Sequence, residues 1–115
     1  MDTELFKGTL ALLILSMLNR KPMYGYELAS TVHQCTEGTF TFKEGSLYPS
    51  LHKMQAEGLV EGQWEEGASA DGPGRKRRYY HMTDKGRAVL AEKRQSWQEL
   101  CRAVNRVLEE PHGQA

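Results

Sequence analysis

The chain has 115 residues, with 15 basic and 15 acidic side chains and a hydrophobic content of 39%. That length suits one domain with one modest core, and the apolar content excludes a wholly disordered chain. The balanced charge excludes a bulk electrostatic argument for a nucleic-acid partner, so only its distribution along the chain can carry one.

The first apolar stretch, Leu10 to Leu18, is interrupted by Ser16 and falls short of the roughly 20 residues that cross a bilayer. Asp2 and Glu4 precede it where a signal peptide carries positive charge, and Arg20, Lys21 and Pro22 follow without a small-residue cleavage site. The expectation is a buried helix from Leu5 to Asn19, no membrane partner and a cytoplasmic location. Apolar residues on nearly every face of that helix predict protein contacts on more than one side, one of them a second subunit.

A second helix is predicted over Met23 to Val32, where Tyr24, Leu28 and Val32 recur every four residues. Thr39 to Phe42 alternates with β-type residues and reads as a stub of strand or as extended chain. The third helix begins close to Ser46, because Pro49 is tolerated only near a helix start, and ends at a Gly58 cap. Leu47, Leu51 and Met54 give it one apolar face. Leu59 to Glu65 and Arg77 to Met82 read as two strands, joined by a loop rich in Gly, Ser, Asp and Pro. Thr83 is a natural N-cap for a last helix that runs to about Glu110, where Pro111 and Gly113 end it. Leu90, Trp97 and Val104 are spaced by seven on that helix, and Cys101 and Leu108 add the next heptad position. Such a seam wants a partner helix, and self-association is the economical reading.

This order of elements predicts a mainly α fold with a small β-hairpin: a winged helix-turn-helix over residues 1–82, a C-terminal dimerisation helix over 83–110 and a flexible tail over 111–115. In that arrangement the third helix enters the major groove of double-stranded DNA, and the hairpin, the wing, touches the backbone. Arg75, Lys76, Arg77 and Arg78 are consecutive on the hairpin, where phosphates would lie. Strand alternation puts Arg75 and Arg77 on one face and Lys76 and Arg78 on the other. On the third helix, Ser46, Tyr48, Ser50, His52 and Lys53 are the expected DNA contacts, with hydroxyls, an imidazole and an ammonium suited to phosphates and base edges. No arginine is placed there to read guanine, so specificity is expected to rest partly on spacing and DNA shape.

The stretch from Glu44 to Val60, EGSLYPSLHKMQAEGLV, resembles the hallmark of the PadR family of regulators. MYGYEL from Met23 and GRKRRYYHMTDKG from Gly74 resemble the family's other two landmarks, and together they cover most of residues 5 to 108. The length is similar to that of the family's short branch, with a single C-terminal helix. The resemblance implies a homodimeric repressor of an inverted-repeat operator. In drug-responsive members of that branch a small planar aromatic effector stacks on a tryptophan at the dimer centre. Trp97 stands at the matching place, with Gly8, Leu12 and Leu15 lining the cavity and Cys101 nearby. The alternative is that Trp97 only packs the dimer core. Arg94 and Cys101 stand where drug-binding members carry an aromatic and an acidic residue, so a preference for cationic ligands is not carried over. The dimer interface is expected from Leu5, Leu12, Leu90, Trp97, Cys101, Val104 and Leu108.

Two cysteines, Cys35 and Cys101, lie far apart without CxxC pairing and predict reduced thiols packed as small hydrophobes. A rival reading is a metal- or redox-responsive winged-helix sensor using Cys35 and Cys101, with His33, His52 and His81 as further candidate ligands. His33 and Cys35 diverge on a helix, which counts against it. No nucleophile elbow, phosphate-binding loop or paired acid–base constellation is present. The expectation is therefore a protein with no catalytic site, no metal and no cofactor.

Overall fold

The computed structural model describes the backbone of residues 3–66 and 76–109, and side chains from Gly8 onward within those ranges. Four helices and three short strands follow one another as α1 (Thr3–Leu18), β1 (Met23–Tyr24), α2 (Gly25–Cys35), α3 (Glu44–Ala56), β2 (Val60–Glu66), β3 (Lys76–Met82) and α4 (Asp84–Leu108). The strands form one antiparallel sheet in the order β1-β3-β2.

The expected hairpin is present, and a third strand joins it. Met23 and Tyr24, expected in the second helix, instead pair with Tyr80 and Tyr79 of β3. The exposed edge of β3 offers hydrogen bonds to an extended segment, and that pairing outweighs the four-residue spacing of Tyr24, Leu28 and Val32. Helix α2 consequently starts later than expected, at Gly25, and runs on to Cys35. Thr39 to Phe42 is extended chain outside the sheet, anchored by Phe42, which is buried in the core, and by Phe40 packed against it. Helix α3 starts at Glu44, two residues before the expected start, and carries Pro49 inside it. Pro49 lacks the amide that would bond the Gly45 carbonyl, and both residues are exposed, so the omission falls on the wet side of the helix.

Helices α1 to α3 enclose the core with the inner face of the sheet. Ile14, Leu15, Leu28, Val32, Leu51, Val60 and Tyr80 are fully buried, and burying an aliphatic side chain of this size contributes about 1.5–3 kcal/mol. On α3 the expected face, Leu47, Leu51 and Met54, is the buried one. The helix ends in a pair of bonds that satisfy its last carbonyls: Leu59 N–H donates to the Met54 carbonyl (2.9 Å) and Gly58 N–H to that of Gln55 (3.0 Å). This turn requires φ of +79° at residue 58, a conformation that only glycine adopts without strain.

The start of α4 is fastened to that same turn. Thr83 caps α4 by accepting from Gly86 N–H (2.9 Å) and donates its hydroxyl to the Gly58 carbonyl (2.7 Å). Lys85 Nζ donates to the Glu57 carbonyl (2.8 Å). Beyond Leu90, which is buried, α4 leaves the core, and its side chains from Ala91 to Glu109 are exposed except at Cys101, which is intermediate.

Candidate nucleic-acid interface

An α-helix turns about 100° per residue, so the buried Leu47, Leu51 and Met54 leave Gly45, Ser46, Pro49, His52, Lys53 and Ala56 on the outward face of α3. Burial agrees: His52 and Lys53 are exposed, while Ser46 is intermediate. The expected contacts thus divide into three groups. Ser46, His52 and Lys53 share the outward face. Ser50 sits on the flank towards α1 and α4, in a hollow with Leu10, Ala11 and Lys93 that Lys53 also borders. Tyr48 sits on the opposite flank, against the first residue of α2.

Tyr48 is there because residue 25 has no side chain. A Cβ at Gly25 would stand 2.3 Å from the Tyr48 hydroxyl oxygen, so the glycine lets the phenol lie across the start of α2 and fix the angle between the two helices. Burial, aided by Glu44 and Tyr80, pushes the phenol pKa above its usual value. The hydroxyl therefore remains a neutral donor. The residue is 37% exposed, so part of the ring reaches solvent.

The wing displays its charges on two faces, as strand alternation requires. Register pairs Trp64 with Arg78, Glu65 with Arg77 and Glu66 with Lys76. The face that carries Val60 and Tyr80 into the core continues outward through Gly62 to Trp64, Arg78 and Lys76. Arg78 lies 5.6 Å from the centre of the Trp64 ring and donates from Nη2 to Gln55 Oε1 of α3 (3.3 Å), so it connects the wing to the helix. Arg77 lies on the other face, its guanidinium 4.4 Å above the Tyr24 ring, and Tyr24 meets Tyr79 edge-on at 5.3 Å. His81 Nε2 and Glu65 Oε2 are hydrogen-bonded across that face (2.6 Å). Arg75, expected beside these residues, lies outside the described residues, as do 67–74. Gln55 and Trp64 are not singled out by the sequence. Gln55 carries no charge, and the exposure of Trp64 depends on where the core ends along the strand.

Between them, α1 and α4 border a cavity of about 390 Å³ lined by Gly8, Leu12, Val89, Trp97 and Leu100 with the polar Glu92, Lys93 and Ser96. Gly8, Leu12 and Trp97 are there as expected. Leu15 is not, because it is fully buried in the chain's own core, and Leu90, expected at the dimer seam, is buried there too. A side chain already enclosed in the chain's own core presents no surface to a ligand or a second subunit, which corrects both expectations. Cys101 lies one turn further along α4, outside the cavity lining. Trp97, Val104 and Leu108 remain exposed, and Leu100 and Val107, not anticipated, join them. The side chain of Leu5 lies outside the described residues.

The candidate ligands of the rival metal-sensing reading do not assemble. Among the described residues no group of three His, Cys, Asp or Glu side chains is placed to hold a metal ion. His33 Nδ1 is bonded to Thr41 Oγ1 (3.2 Å), His81 faces Glu65, and the exposed Cys35 receives only a long contact from Arg20 Nη1 (3.7 Å). No helix among the described residues is long and apolar enough to cross a membrane.

Comparison with known proteins agrees with this architecture. Residues 14–92 match the transcriptional regulator PadR-like family. A crystal structure of a PadR-like transcriptional regulator from Bacillus cereus is 40% identical, with a TM-score of 0.77 covering 94% of this chain and 99% of that one. A PadR family regulator from Eggerthella lenta is 34% identical, with a TM-score of 0.78 over 95% of this chain and 89% of that one. The transcriptional regulator Rv3488 of Mycobacterium tuberculosis is 45% identical over 60 residues, 52% of this chain and 51% of that protein. With its landmark motifs running from β1 into α2, along α3 into β2 and along β3 into α4 of a winged helix, the chain belongs to the PadR-like family of transcriptional regulators and is not an enzyme.

Proposed function

We propose that this protein is a homodimeric repressor that binds an inverted-repeat operator, with α3 in the major groove and the wing on the backbone beside it. The observation that carries the reading is the bond that joins the wing to the third helix: Arg78 donates to Gln55 on the Tyr48 flank of α3, while His52 and Lys53 stand exposed on the same helix. Ser46, His52 and Lys53 face the bases and phosphates directly. Tyr48 and Ser50 reach phosphates from the flanks, and Arg75, Lys76, Arg77 and Arg78 supply the wing's positive charge. The dimer forms along α4, where Trp97 and Val104 are each 43% exposed and Leu108 is 74% exposed, a continuous apolar stripe of the kind that marks a protein–protein contact. Two copies related by a two-fold axis present two α3 helices, and hence recognise two half-sites about one helical turn apart or a multiple of that spacing.

Footprinting on the DNA upstream of the protein's own gene tests this reading. Protection of two symmetric half-sites supports it, and protection of a single half-site by a monomer refutes it. The cavity beside Trp97 is where a small planar aromatic effector enters, with Gly8 leaving room for it: a Cβ at that position would meet nothing within 4 Å. Titration with acridine checks this. Quenching of tryptophan emission that disappears in Trp97→Phe, with release of DNA, is the expected result.

A further inference from the structure

We propose that the cleft between α3 and the wing seats one sugar–phosphate strand of the bound duplex, and that Trp64 is a DNA-contacting residue, its indole packed against a deoxyribose. The proposal rests on the DNA-binding reading above and adds a contact that the basic wing does not supply. The inner sheet face runs outward from the core through Val60 and Gly62 to Trp64, and at Trp64 the core has ended. The indole is 64% exposed, a large apolar surface that folding leaves in water. It lines a cleft of about 400 Å³ together with Tyr48 and His52 of α3, Tyr24, and the two arginines Arg77 and Arg78 of β3.

Arg78 is held in place there. It lies opposite Trp64 in the sheet, its guanidinium is hydrogen-bonded to Gln55 on the helix, and residue 62 leaves space for it: a Cβ at Gly62 would stand 2.7 Å from the guanidinium. The cleft therefore presents an apolar aromatic face, the positioned cation of Arg78 with Arg77 beside it, and an imidazole. A deoxyribose–phosphate unit presents an apolar ring face beside an anionic group, which matches that set. The direction of the duplex gives the same answer. With α3 in the major groove and the wing against the adjoining minor groove, the strand that divides the grooves passes between them. Bases of an intact duplex are stacked, so the indole meets sugar.

The test uses the full chain and two fluorescein-labelled 30-base-pair duplexes, one from the DNA upstream of its own gene and one of scrambled sequence, over a series of salt concentrations. Trp64→Ala is expected to weaken binding to both by about tenfold, the equivalent of roughly 55 Å² of apolar contact, with the salt slope unchanged because no charge is removed. Trp64→Arg is expected to steepen the slope by about one unit, since it places a cation on the phosphate track. Wild-type affinity in Trp64→Ala together with an unchanged slope in Trp64→Arg overturns the proposal and leaves the DNA-binding reading standing. Failure of the wild-type chain to bind either duplex at low salt overturns both.

Discussion

Tyr48 shows how much one residue's role depends on its neighbour. Its place in the third helix suggests a phosphate contact, but the phenol also fills the space left by Gly25. Gly25→Ala puts a methyl group where that ring lies, and overpacking of this kind costs about 1–3 kcal/mol. Urea denaturation measures the destabilisation. Tyr48→Ala in the same chain is expected to relieve part of it, so that the double variant is less destabilised than the sum of the singles. On the wing, neutralising Lys76 and Arg77 to Gln is expected to weaken binding to all sequences and to lower the salt slope by roughly one unit for each phosphate no longer neutralised. Fluorescence anisotropy at several salt concentrations checks this, and an unchanged slope refutes the wing's backbone role. Arg77 carries a second duty, since its cation–π contact with the half-buried Tyr24 contributes on the order of 0.5–2 kcal/mol.

Among the elements, the junction between α3 and α4 matters most. Two residues at the start of α4, Thr83 and Lys85, donate to the carbonyls of Gly58 and Glu57 at the end of α3. The third helix and the helix that carries Trp97 are therefore fastened end to start by these two side-chain bonds. Thr83→Ala removes the N-cap of α4 together with this connection. A drop of about 1–2 kcal/mol in stability is expected in thermal unfolding. Gly86 makes the junction tight, as a Cβ there would stand 2.2 Å from the Leu59 carbonyl oxygen. The Thr83 cap and the Gly58 turn were legible in the sequence, because caps and turns are written by single residues with particular chemistry. Their contact with each other was not, because it joins backbone carbonyls, which no side chain announces.

For the whole molecule, α4 divides the chain into a part enclosed in the common core and a helix whose apolar stripe lies in water, the surface on which the proposed dimer rests. Val104→Asp places a charge in that stripe and is expected to shift the protein from dimer to monomer in sedimentation equilibrium, while the melting of the winged domain changes little. An unchanged dimer would move the interface elsewhere. What the sequence by itself determined is the set of local features: four helices, the hairpin, the buried face of α3 and a basic run on the wing. Those follow from periodicity, capping and charge, which are properties of neighbouring residues. Only the tertiary structure decided the rest. Edge pairing with β3 drew Met23 and Tyr24 out of a helix and into the sheet. Core packing enclosed Leu15 and Leu90 and removed them from the expected interfaces. The extent of the core along β2 left Trp64 in the open beside α3. Each of these depends on which surfaces other parts of the chain have already covered, and that is a property of the packed molecule.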